Sequence, residues 1–149
     1  MSTEFDNTSN TVDSRDVLTR IEELTAERDA LQEEYDESEG ESEAERIAQN
    51  ELDTFNNSDD GKELDILLKL QSVAEGSSDW IYGEQLINED YFTQYIEELI
   101  NDCYEMPKEM GSGNWPYRHI TMNFEAAAEE AKQDYVEVDF DGNTFLIRA

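Results

Sequence analysis

Residues 14–35 read SRDVLTRIEELTAERDALQEEY, and the spacing of their apolar positions decides the first half of the fold. Val17, Ile21, Leu24, Arg28, Leu31 and Tyr35 recur at intervals of 4, 3, 4, 3 and 4, the a/d seam of a helix that buries one stripe. Ser14 is an apt N-cap, because a hydroxyl there can accept from an orphan N–H of the first turn. Almost three heptads is the minimum for a coiled coil, and charged Arg28 sits on the seam. A short antiparallel helical hairpin has the same signature, so both readings stay open.

Downstream, Asp36-Glu-Ser-Glu-Gly40-Glu-Ser-Glu loses the period and reads as a turn. Ala44, Ile47, Ala48, Leu52 and Phe55 define a second helix, Asn56-Asn-Ser-Asp-Asp-Gly61 a turn, and residues 62–75 a third helix with a broad apolar face. Beyond Gly76 the character changes. Asn88 caps an amphipathic helix carrying Phe92, Tyr95, Ile96, Leu99, Ile100 and Cys103, which Met106-Pro107 ends. Residues 107–117 hold both prolines and read as a loop, and residues 124–134 form an alanine-rich helix. Tyr135-Val-Glu-Val-Asp-Phe140 alternates as a strand, Asp141-Gly142 is a two-residue hairpin turn, and Thr144-Phe-Leu-Ile-Arg148 is the return strand. Upstream, residues 1–13 are polar and read as a disordered tail.

These elements define an α+β class, mainly helical. A disordered tail (1–13) precedes an acidic helical region (14–75), a hairpin or short coiled coil, and then a compact α-α-β-hairpin domain (76–149).

Charge narrows the function. The 149 residues carry 39 Asp and Glu against 10 Lys and Arg, a formal net charge of −29. A field of that sign disfavours direct binding to nucleic acid or to anionic membranes. No run of about 18 apolar residues is present to span a bilayer. The polar start resembles no signal peptide, and the lone Cys103 cannot form an internal disulfide, so a cytoplasmic protein is expected.

The acidity is uneven. The first 60 residues hold 20 carboxylates and 4 bases, the last 89 hold 19 and 6, and residues 22–45 alone hold twelve carboxylates and one base, Arg28. As one helix those 24 residues would span roughly 36 Å, one charge per roughly 3 Å, close to the spacing of phosphates along a DNA strand. Such a surface suits the DNA-binding groove of another protein, although most charge runs are simply solvated helix faces.

Chemistry-bearing motifs are weak. Placing Gly61 at the sixth position of a calcium loop puts Leu67 where the bidentate Glu is required. His119 stands without a second His or Cys nearby, so no zinc site is expected. Gly111-Ser-Gly113 lacks the Lys-Ser/Thr of a phosphate loop. No catalytic constellation, metal or cofactor is expected. Trp80, Tyr82, Tyr91, Phe92, Tyr95, Trp115 and Tyr117 are expected in the core of the second half.

Leu86-Ile87, Tyr91-Phe92, Trp115-Pro116, Asp134-Tyr135, Phe140-Asp141-Gly142 and Arg148, together with Ser14-Arg15-Asp16-Val17 and Arg20-Ile21-Glu22-Glu23-Leu24, resemble a family of small acidic, antirestriction-like proteins carried by phages and plasmids. The sequence departs from that pattern at Met122-Asn123-Phe124, where Ile-Asp-Trp is usual, and at Asp102-Cys103-Tyr104, where Asp-Ile-Gly is common. The resemblance implies a shared fold and a mobile-element setting, and brings no catalytic residue with it.

Taken with the charge, it gives the expectation of a non-enzymatic DNA mimic acting in the host cytoplasm. The partner would be a DNA-binding host defence protein, a restriction or CRISPR nuclease, contacted through Glu22, Glu23, Glu27, Glu33, Glu34 and Glu37. The alternative is a module that homodimerises through the Val17–Tyr35 seam, its acidity serving solubility or salt tolerance.

Overall fold

The computed structural model describes residues 5–38, 40, 42–105 and 107–149. Its elements are β1 (Thr11–Asp13), α1 (Ser14–Glu37), α2 (Glu43–Asn57), α3 (Asp59–Ala74), β2 (Gln85–Asn88), α4 (Phe92–Cys103), α5 (Phe124–Ala131), β3 (Tyr135–Phe140) and β4 (Asn143–Arg148), with short 3-10 turns between them. The chain is a mainly helical α+β protein, built on an antiparallel sheet of order β1-β2-β4-β3.

The sheet separates two helical layers, and alternation along its central strands explains why. In β4, Phe145 and Ile147 point to one face and Leu146 to the other; in β2, Leu86 and Ile87 divide the same way. The first face joins Val17, Leu24, Leu64, Leu67 and Leu70 of α1 and α3 in the main core. The second joins Phe92 and Ile96 of α4 and Ala128 of α5 in a smaller one. The main core therefore runs across residue 76, so the compositional boundary expected there is not a boundary in the packing.

The seam of α1 is used within the chain. Val17, Ile21 and Leu24 are buried in the main core, and Leu31 packs against it. Both α2 and α3 pack on α1, so the hairpin reading holds and the coiled-coil reading does not. A homodimer through this seam would need the core to open.

Several local expectations are corrected. The N-cap of α1 is Asp13, whose carboxylate accepts from Arg15 N at 2.8 Å. Ser14 is instead a fully buried clamp. Its Oγ donates to Trp80 O and accepts from Glu84 N, both at 2.7 Å, which ties α1 to the segment entering β2. The turn expected over 56–61 shrinks to Ser58, which accepts from Gly61 N at 3.2 Å and donates its own N–H to Phe55 O at 3.0 Å. One serine thus ends α2 and begins α3. Gly61 is required there: an added Cβ would meet the backbone oxygen of Phe55 and lie 2.8 Å from Asn56 Cα. Within the turn after α1, Glu39 and Glu41 lie outside the described residues, as do residues 1–4 of the expected tail.

The rest of that tail is held. Val12 is buried, β1 pairs with β2, and Phe5 packs on Phe140 with ring centroids 6.1 Å apart. Asn7 Nδ2 donates to Asp141 O at 3.0 Å, and Asn143 Nδ2 returns a bond to Asn7 O at 2.7 Å. The β3–β4 hairpin forms as expected around Asp141 and Gly142, both at positive φ (50° and 89°).

Candidate partner-binding surface

α1 is three turns of core helix followed by three of surface helix. Past Leu24 its buried positions cease. All six carboxylates expected to bind a partner, Glu22, Glu23, Glu27, Glu33, Glu34 and Glu37, are exposed along it. They do not form one row. Glu23, Glu27 and Glu34 follow i, i+4, i+11 along one flank, and Glu22 and Glu33, with Asp29, follow the other, roughly 100° away at 3.6 residues per turn. Glu37 lies between the rows.

The two rows have different neighbours. On the first, Glu23 accepts from Arg20 at 3.3 Å. Arg20 is 8% exposed and makes a forked pair with Glu63 of α3, Nε to Oε2 at 3.0 Å and Nη2 to Oε1 at 2.9 Å, with Asp60 at 3.5 Å. The hydrogen bond this guanidinium donates to Glu63, and after it the charge of Glu63, the hydrogen bond to Glu23 and the charge of Asp60, hold it protonated even more firmly than usual, against the opposing effect of burial. It is the cation that lets α1 and α3 lie side by side.

Further along the same row Glu34 meets Glu51 of α2. The charge of Glu51 pushes the Glu34 carboxyl above its ordinary 4.5, and a hydrogen bond between the two carboxyl groups acts in the same direction. Tyr35 donates to Glu45 at 3.4 Å, a tie between the end of α1 and the start of α2. Glu51, Glu63 and Asp60 were not legible as members of the surface. Only the antiparallel return of the chain brings them beside α1.

The return of the chain as α2 also changes the geometry of the acidic run. Residues 22–45 are not one rod of roughly 36 Å. Residues 22–37 carry eight carboxylates on α1, one per roughly 3 Å of axis, and α2 adds Glu43, Glu45, Glu51 and Asp53 in a second, antiparallel line. The surface is two helices wide, and Arg46 pairs on it with Glu43 at 3.4 Å.

Elsewhere the aromatic expectation divides. Trp80 and Phe92 are buried, with Trp80 Nε1 lacking a partner among the described residues, and Tyr91 and Tyr95 pack against the smaller core. Tyr82, Trp115 and Tyr117 are exposed instead, Trp115 by 72%. Residues 107–122 fold on themselves through two short 3-10 turns, and residues 112–122 are exposed throughout. His119 lies there, accepting from Arg118 Nε at 3.2 Å. Among the described residues, no group of three or more His, Cys, Asp or Glu is placed to hold a metal ion. No helix among them is long and apolar enough to cross a membrane.

Compared with protein-family models, with curated proteins and with solved structures, the chain matches none. The resemblance to acidic phage and plasmid proteins rests on the residues quoted for it.

Proposed function

We propose that the α1–α2 surface is a decoy for DNA: a non-enzymatic element that occupies the DNA-binding groove of a host defence nuclease. The observation that carries this reading is the density of exposed carboxylate on α1, one per roughly 3 Å of helix axis against about 3.4 Å per phosphate in a DNA strand. A groove lined with Lys and Arg exchanges its counterions for these carboxylates as it does for phosphates. The complex therefore weakens steeply with salt.

The fixed helix backbone supports the reading. Carboxylates on a hairpin anchored by Arg20, Val17 and Leu24 cost less to order on binding than those of a flexible acidic tail. The mobile-element setting implied by the resemblance supports the choice of a defence protein as partner.

The test is capture from bacterial lysate on the immobilised chain at low salt, followed by elution with duplex DNA. Release of a nuclease by DNA, and no capture by a variant with Glu22, Glu23, Glu27, Glu33, Glu34 and Glu37 all changed to Gln, is the expected result. Capture of proteins that DNA does not displace, or equal capture by the variant, overturns it.

A further inference from the structure

We propose that the connection between α4 and α5 is a self-association surface through which two copies of this chain pair. Exposed apolar side chains are concentrated there. Trp115 is 72% exposed, and Tyr117, Ile120 and Met122 follow it in the open, with Tyr104 and Leu99 exposed at the end of α4. Scattered exposed apolar residues need no explanation, but four large ones within the eight residues 115–122 of a polar protein point to a contact surface. Its make-up of Trp, Tyr and Arg is that of interface hot spots.

Charge selects the occupant. No carboxylate occurs between Glu109 and Glu125, and residues 107–123 carry Lys108 and Arg118 against Glu109 alone, a net +1 in a chain of −29. Two copies approaching through the α1–α2 face set carboxylate against carboxylate, and like charges juxtaposed at an interface are strongly unfavourable. Through this segment they can meet with aromatic surface in the middle. Arg118 and Lys108 then lie within reach of the acidic margin formed by Asp102, Glu105 and Glu109 on the second copy. The same patch on both copies makes the contact isologous, so it closes at two.

The segment is also built to present these groups. Arg118 N donates to Asn114 O at 2.8 Å, His119 N to Pro116 O at 2.9 Å and Ile120 N to Tyr117 O at 3.0 Å, and the two 3-10 turns pack against each other. Because α4 and α5 cover the sheet face opposite α1–α3, pairing here leaves both acidic hairpins open to solvent. In that respect the dimer deepens the decoy reading, since it presents two acidic surfaces at once. Its existence does not depend on either surface binding anything.

The experiment is sedimentation equilibrium of the full chain from about 0.1 to about 1 M salt, over which the Debye length falls from about 10 to about 3 Å. A dimer is expected that tightens with salt as the repulsion between the two acidic bodies is screened, the opposite trend to decoy binding. Trp115→Glu and, separately, Ile120→Glu should weaken it at least tenfold with unchanged helical circular dichroism. A monomer at every concentration and salt overturns the proposal, including a monomer that binds zwitterionic lipid vesicles through Trp115. So does a dimer that both variants leave as tight as before. A dimer with no DNA-displaceable partner keeps this proposal and removes only the decoy.

Discussion

The two layers on either side of the sheet solve the problem of surface in opposite ways. The α1–α3 layer covers itself with carboxylates and buries Leu64, Leu67 and Leu70 almost completely in the main core, leaving only single apolar side chains such as Ile47 and Val73 in the open among the described residues. The α4–α5 layer has a smaller core, five buried residues among those described, and leaves Trp115 and Ile120 in the open on the stretch between Glu109 and Glu125, which holds no acid. The first layer is suited to long-range, salt-sensitive attraction, and the second to short-range contact that salt does not weaken.

The difference in burial can be broken most severely through β4, which serves both layers. Phe145→Ala removes a fully buried ring from the main core and should cost about 3–5 kcal/mol in urea unfolding, releasing the acidic hairpin from the sheet. Arg20→Ala should follow at about 3 kcal/mol, because Glu63, Asp60 and Glu23 would lose the guanidinium they share. Arg15→Ala, at an exposed pair with Asp13, should leave the unfolding curve almost unchanged, because solvent screens the pair. Ser14→Ala orphans Trp80 O and Glu84 N and should cost about 1–3 kcal/mol.

In the second layer the sign of the comparison reverses. Trp115→Ala, for all its size, should leave the unfolding free energy of the monomer within about 0.5 kcal/mol, because the side chain touches solvent.

The smallest effect is one of pH. A carboxyl whose folded value is raised contributes stability at low pH that is lost as pH rises through that value. Glu34 is raised by Glu51, so the hairpin should lose a little stability as pH climbs just above 4.5, and Glu51→Gln should flatten that window. Asp13 runs the other way. Its hydrogen bond from Arg15 lowers its value, so its contribution is present above the ordinary 3.8 and disappears as acid is added below it. Unfolding curves taken between the two regimes separate these effects.

Much of this was legible from residue order. The a/d spacing of Val17, Ile21 and Leu24 gave α1, and Asp141-Gly142 gave the β3–β4 hairpin, because each signal is local and periodic. β1 and β2 were not legible. Thr11–Asp13 has one apolar residue, and the adjacent Leu86 and Ile87 serve opposite faces of the sheet, so neither strand shows a two-residue period along a single face. Ser14 looked like a cap because hydroxyls there usually are. Its actual role depends on Trp80 and Glu84, some seventy residues away.

For the candidate surface, sequence gave the six carboxylates of α1 and their exposure. It could not give Glu51 or Glu63, which reach α1 only through the return of the chain as α2 and α3. The exposed aromatics were misplaced for a related reason. Composition marks Trp115 and Tyr117 as core types, and only their exposure in the folded chain reveals them as surface.

The decoy reading is tested most directly by the affinity of the immobilised chain for a captured DNA-binding protein as a function of salt. The expected result is a linear fall of log K with log salt that duplex DNA competes with, and a shallower slope when Glu22, Glu23, Glu27, Glu33, Glu34 and Glu37 become Gln. An affinity indifferent to salt, or a slope that the six substitutions leave unchanged, would contradict it.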